Sequence, residues 1–231
     1  MLYSLLNGEF SLQTALMNIL AVSVIVFLVM PLHEFAHGFI AYKLGDKTAK
    51  NMGRLKFSPA AHIDPVGALM ILLVGFGWAK PVPVNPRYFK NPKVGMALTA
   101  LAGPVSNLLA ALVGGLFVNG SVALVYNVAL SDVMFTVVDL LFTFFSYFLA
   151  VNISLAVFNL IPIPPLDGSK ILFAFLPDKL VYKAYQYERH FNTILIFLIA
   201  FGALTGPLDF ARNILTQLII KVTSLPFAGL Y

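Results

Sequence analysis

From Ala15 to Leu32 the chain is an almost unbroken run of Leu, Ile, Val, Met, Ala and Phe, interrupted only by Asn18, Ser23 and Pro31. A run of about 18 apolar residues has the length of a transmembrane helix. It leads directly into His33-Glu34-Phe35-Ala36-His37. Ionisable groups at membrane depth are expensive, roughly 2.5–3.5 kcal/mol for an acid on insertion scales, and by default they mark function. Two histidines four residues apart lie on one face of a helix, where both imidazoles can reach a single Zn²⁺. Glu34 between them is then placed to act as the base that activates water. The alternative is that the histidines mark only the interfacial end of the helix.

Composition agrees with a membrane location. Only 11% of residues are charged and 59% are hydrophobic, against about 25% charged in a soluble domain. The expected fold class is an all-α integral membrane protein. At 231 residues the chain has room for one domain, 1–231, with a catalytic core over about 11–176 and a C-terminal span and tail over about 177–231. There is no cysteine, which leaves histidine and carboxylate as metal ligands. No Lys or Arg precedes the first apolar run, and that run is too long for a signal-peptide core, so it is expected to be a retained span.

Every Lys and Arg lies between Lys43 and Lys93, between Lys170 and Arg189, or at Arg212 and Lys221. Nucleic-acid binding would need this charge on a soluble face, and no such domain is present. The positive-inside rule instead places the two basic blocks in the cytoplasm of a multi-pass protein of the cell membrane. Anionic lipid favours the same placement.

The first helix is predicted from Ser11 to Leu44, with Pro31 kinking it and Gly45 ending it. Leu55 and Phe57 alternate with polar residues and suggest a short strand. Pro65 to Trp78, with Gly67, Gly75 and Gly77, is short for a span and reads as a re-entrant or membrane-edge segment. Three prolines make Lys80 to Pro86 extended. Val94 to Val118 is a second span; along it Gly95, Thr99, Gly103, Asn107 and Ala111 form a stripe of small or polar residues that permits close helix approach. Val133 to about Ile161 is a third. His190 to Leu204 is a fourth apolar run, and the tail from Pro207 forms an interfacial helix or a fifth span. The whole is a polytopic helical bundle of about four to five spans, whose parity brings both basic blocks to one side.

A catalytic zinc site usually has three protein ligands. Asp167 is the best further candidate, since it follows Pro162-Ile163-Pro164-Pro165 and irregular backbone at membrane depth is tolerated only beside a protein cavity. It could equally cap a helix starting at Ser169. Asp132 and Asp139 fall near the far end of the third span, and His62 and Asp64 read as a turn before Pro65.

The chain resembles the site-2 protease family of intramembrane zinc metalloproteases, and looks closest to compact prokaryotic members without an inserted PDZ domain. The residues that carry the resemblance are His33-Glu34-Phe35-Ala36-His37, His62-Ile-Asp-Pro65-Val-Gly67, Ala102-Gly-Pro-Val-Ser-Asn107 and Asn159-Leu-Ile-Pro162-Ile-Pro-Pro-Leu-Asp167-Gly168. The resemblance implies Asp167 as third ligand to one zinc per chain, and hydrolysis of peptide bonds within or near transmembrane segments of membrane-protein substrates. Glu34 would be the general base, with the active site towards the cytoplasm. The oxyanion needs a further donor; Asn159 is the first choice and Asn107 the second. All three asparagines, Asn152 included, have interhelical hydrogen bonding as the alternative role. Two rival functions stand beside this one: an intramembrane metal transporter, and a non-catalytic binding protein on the same fold. A transporter has no use for Glu34 beside a ligand. The sequence leaves the oligomeric state open.

Overall fold

A computed structural model describes residues 16, 19–20, 23–74 and 78–230. The predicted helix start at Ser11, and Gly75 to Gly77, lie outside the described residues. Among the described residues all regular structure is helical, apart from one isolated antiparallel bridge between Ile63 and Ala79.

The first helix enters through a π-helical turn, Ile25–Val29, and continues as α1, Met30–Lys43. The Met30 N–H bonds to the Ile25 carbonyl, five residues back. Pro31 has no N–H and its ring crowds the preceding turn, so a widened turn just before it relieves the clash. The helix ends as its sequence suggests, with Gly45 at φ 110° and the Asp46 N–H bonded back to the Ala41 carbonyl at 2.9 Å.

Short helices α2 (Thr48–Asn51), α3 (Pro59–His62) and α4 (Pro65–Val74) follow. The strand predicted around Leu55 and Phe57 does not form. The chain instead curls around two side chains: His62 donates through Nε2 to the Lys56 carbonyl at 2.9 Å, and Arg54 donates to the Ala61 carbonyl. Asp64 caps α4 by accepting from Val66 and Gly67 N–H at 2.9 Å. The Ile63–Ala79 bridge, supported by Lys80 N–H to the His62 carbonyl at 2.8 Å, brings both ends of the α4 segment to one point. Gly67 lies against the Trp78 backbone with no space for a Cβ.

Helix α5 runs for 36 residues, Pro92–Asn127, with Asn91 capping it through the Val94 N–H. It extends past the expected end at Val118, through Asn119-Gly120, where Asn119 bonds across to Thr223 and the Ile220 carbonyl. Helix α6, Asp132–Asn159, returns antiparallel to α5 and makes the most extensive helix–helix packing in the molecule. Phe117 and Phe145 stack with ring centroids 4.0 Å apart, and Gly114 admits Phe148 and Leu149. After α6 the chain turns through Pro162 to Leu166 into α7, Asp167–Phe173. Helix α8, Asp178–Gln186, is amphipathic and has no buried residue. Helices α9, Glu188–Ala200, and α10, Thr205–Ser224, meet at 80°.

Three helical stretches are long and apolar enough to cross a membrane: Ile25–Lys43, Pro92–Asn127 and Asp132–Asn159. The bent α9–α10 pair makes a fourth if it counts as one broken span. The fourth apolar run and the tail thus form two helices that meet at a sharp bend.

Lipid tails are as apolar as leucine, so close contact and polar glue must hold such a bundle together. Ala111, Leu149, Ile153, Val157 and Ile219 form a buried cluster between α5, α6 and α10. Beside it Asn119 Nδ2 donates to Thr223 Oγ1 at 2.8 Å and to the Ile220 carbonyl at 3.1 Å. A Cβ on Gly115 would stand 2.7 Å from Thr223 Oγ1 and 3.0 Å from Ile219 Cγ2. Gly115→Val should therefore separate α10 from α5 and destabilise the protein by about 1–3 kcal/mol. Thermal unfolding in detergent would show a lowered midpoint; an unchanged midpoint would mean α10 carries little of the fold.

Candidate metal centre and active site

His33 and His37 sit one turn apart on α1 and face the same side. Their Nε2 atoms are 3.0 Å apart. Asp167, the first residue of α7, brings Oδ2 to 3.3 Å from His33 Nε2 and 3.2 Å from His37 Nε2. Helical spacing pointed to the two histidines and the resemblance to Asp167, and the three come from distant parts of the sequence to one point. Among the described residues they form the only group of three or more His, Asp or Glu side chains able to share an ion. Asp167 is not the N-cap of its helix, since Leu166 holds that position. Gly168 makes the approach possible: its α-carbon packs on the Leu160 and Ile161 carbonyls, where any Cβ would collide.

The outer ring atoms settle what the inner ones can do. His33 Nδ1–H donates to Asn107 Oδ1 at 2.7 Å, and His37 Nδ1–H donates to the Thr99 carbonyl at 2.7 Å. With the Nδ1 protons committed outward, both Nε2 lone pairs point inward beside a carboxylate. This is the outer-shell pattern of metal-bound histidine. A tetrahedral ion with bonds of about 2.0–2.1 Å needs ligand atoms about 3.3 Å apart, close to the separations found. The residues therefore fit a divalent metal with three protein ligands.

Asp167 is buried. A metal ligand at this position is the ionised carboxylate, whose charge a bound cation would compensate. Lys170 Nζ lies 3.4 Å from its other oxygen, Oδ1.

Both hydrogen-bond acceptors come from the small-residue stripe of α5. Between Thr99 and Asn107 stands Gly103, where a Cβ would sit 2.5 Å from His33 Cε1, His33 Nε2 and His37 Nε2. Glycine lets the α5 backbone press against the imidazoles, so residues one turn either way reach the two Nδ1 atoms. The stripe predicted as a packing face is also the outer shell of this site. Periodicity could have pointed to Asn107; nothing in a sequence marks the Thr99 carbonyl.

Glu34 lies beside the three ligands and is not one of them. Its Oε2 accepts from the Val82 N–H at 3.0 Å. Asn107 is buried, and its Nδ2 has no partner among the described residues. Asn159, at the end of α6, donates through Nδ2 to the Leu155 carbonyl at 2.9 Å. Asn152 donates in the same way to the Phe148 carbonyl at 2.8 Å.

The sequence profile of peptidase family M50 matches residues 18–202. The chain is 41% identical over 187 residues to "Putative zinc metalloprotease YwhC" of Bacillus subtilis (strain 168), covering 81% of each protein. It is 29% identical over 143 residues to "Putative zinc metalloprotease Rip2" of Mycolicibacterium smegmatis, covering 59% of this chain and 50% of that one. No solved structure matches.

The geometry makes metal affinity a test of the outer shell. Asn107→Ala should weaken metal binding about 10–100-fold, the usual cost of losing a histidine's outer partner. Gly103→Ala should cost more, because the methyl group enters the ligand set itself. Chelator competition on purified protein would measure both, and wild-type affinity in Gly103→Ala would mean α5 does not press on the site.

Proposed function

Because the chain belongs to peptidase family M50, the site-2 protease family, we propose that it hydrolyses peptide bonds within or near the transmembrane segments of membrane-protein substrates, using one zinc ion per chain held by His33, His37 and Asp167. The observation that carries this is the convergence of two inward Nε2 atoms and a carboxylate beside Glu34, which accepts from the Val82 N–H. When bound, zinc supplies Lewis acidity that polarises a carbonyl and makes water a nucleophile near neutral pH.

The chain's own groups do the rest. Glu34, one residue from a ligand, takes the proton that the attacking water loses and passes it to the departing amide nitrogen as the C–N bond breaks. Asn107 and Asn159 are the candidate donors to the oxyanion. Asn107 has its Oδ1 occupied by His33 and its Nδ2 uncommitted, while Asn159 must first release the Leu155 carbonyl. The outward bonds of His33 and His37 orient the two rings with Nε2 facing inward. The basic residues at the end of α1 and in and after α7, Lys43 and Lys170 among them, support a site that opens to water on the cytoplasmic side. The 231 residues act as a single membrane domain.

Glu34→Gln should keep zinc and fold while lowering cleavage of a tagged single-span substrate about 10²–10⁴-fold. Asp167→Ala should instead lose most of the zinc. Cleavage at wild-type rate by Glu34→Gln would remove the general-base role and favour a transporter. Orientation can be measured because the chain has no native cysteine: a single cysteine at Lys50 should label from the cytoplasmic side and one at Val128 from the outside. The reverse pattern would invert the route of water.

A further inference from the structure

The proline-rich segment from Lys80 to Pro86 crosses the site as an extended strap, and its ties converge on α1 and the turn that ends it. Val82 N–H donates to Glu34 Oε2 at 3.0 Å. Three residues on, Asn85 N–H donates to Asp46 Oδ2 at 2.6 Å. Asp46 is fully buried, and among the described residues it has no ion-pair partner; its Oδ1 accepts from the backbone N–H of Thr48 at 2.9 Å and from the Thr48 hydroxyl. One oxygen thus locks the turn after α1 and the other reaches across 39 residues of sequence to the strap. A buried carboxylate satisfied only by hydrogen bonds is costly to keep. Its cost here is matched by what it joins.

The rest of the strap is equally fixed. Arg54 donates to the Lys80 and Pro81 carbonyls at 3.0 and 2.9 Å. Gly38, one turn beyond Glu34 on α1, leaves room for the Val82 side chain, whose Cγ1 would lie 3.1 Å from a Cβ there.

We infer that Asp46 is a positioning residue for catalysis: by anchoring the strap at Asn85 it holds the Val82 N–H against Glu34 and so aims the carboxylate beside the metal ligands. This rests on Glu34 being the general base. Val82→Pro deletes the donor while keeping the strap extended, since Pro81 and Pro83 already flank it. A hydrogen bond to a charged group is worth about 1.5–3 kcal/mol, equivalent to about ten- to a hundredfold.

Two variants and one probe test this in the full chain in detergent. Val82→Pro should retain one zinc per chain and an unchanged KM, with kcat for the single-span substrate reduced about ten- to a hundredfold. Asp46→Asn, which loses an acceptor without changing size, should do the same and also make a cysteine at Val84 react with maleimide at least about tenfold faster. Asp46→Glu, which restores the carboxylate, should recover part of kcat. Because the tie is reciprocal, Glu34→Ala should likewise speed labelling at Val84, a result independent of any substrate. Wild-type kcat in Val82→Pro, or unaltered Val84 labelling in Asp46→Asn, overturns the inference. So does zinc loss in either variant, since the strap would then be holding the metal site itself. Failure of the base assignment is distinct: Glu34→Gln would cleave normally while Val84 labelling still followed Asp46.

Discussion

The site depends first on the contact between the α5 backbone at Gly103 and the two imidazoles of α1. Everything at the site is arranged around it. Without a side chain at 103, α5 comes near enough for Asn107 and the Thr99 carbonyl to take the two Nδ1 protons. That fixes which ring nitrogens face inward, and the lone pairs they offer suit a cation and not an anion. The same contact sets the separation of α1 and α5, against which α7 must deliver Asp167. A membrane bundle has little hydrophobic force to pull helices together, so steric permission at one residue carries unusual weight.

A second theme is how this chain keeps polar groups in an apolar setting. The histidines, Asp167, Asn119, Thr223 and Asp46 are each matched by nearby donors or acceptors. Two of these arrangements are structural, joining α10 to α5 and the strap to α1. The third, around His33 and His37, leaves inward atoms with no hydrogen to share. That imbalance distinguishes a site from a staple.

Much of this was legible in the sequence, for identifiable reasons. His33 and His37 follow from helical period alone, and Gly45 from the conformational demand at a helix end. The α5 stripe was visible as a periodicity, though only as packing. Asp167 was not decidable locally, because the prolines before it make the path of the backbone depend on tertiary contacts; the family resemblance supplied it. The strand around Leu55 was misjudged because alternation is a weak signal over so few residues, and the side chains of Arg54 and His62 outbid it. The ties from Val82 and Asn85 were invisible, since backbone N–H groups carry no residue-specific mark.

The 36-residue length of α5 also works as a depth gauge. At 1.5 Å per residue the helix is about 54 Å long, against a hydrocarbon layer of about 30 Å. Gly103 lies eleven residues from its first residue, Pro92, or about 17 Å along the axis. If the excess length is shared equally between the two faces, about 12 Å projects on each side and the metal ligands lie only about 5 Å beneath the hydrocarbon boundary. At that depth a dimple in the surface would bring water to them without a pore through the bundle. Under the proposed function a substrate helix would meet the site near the end of its span, where fraying costs least.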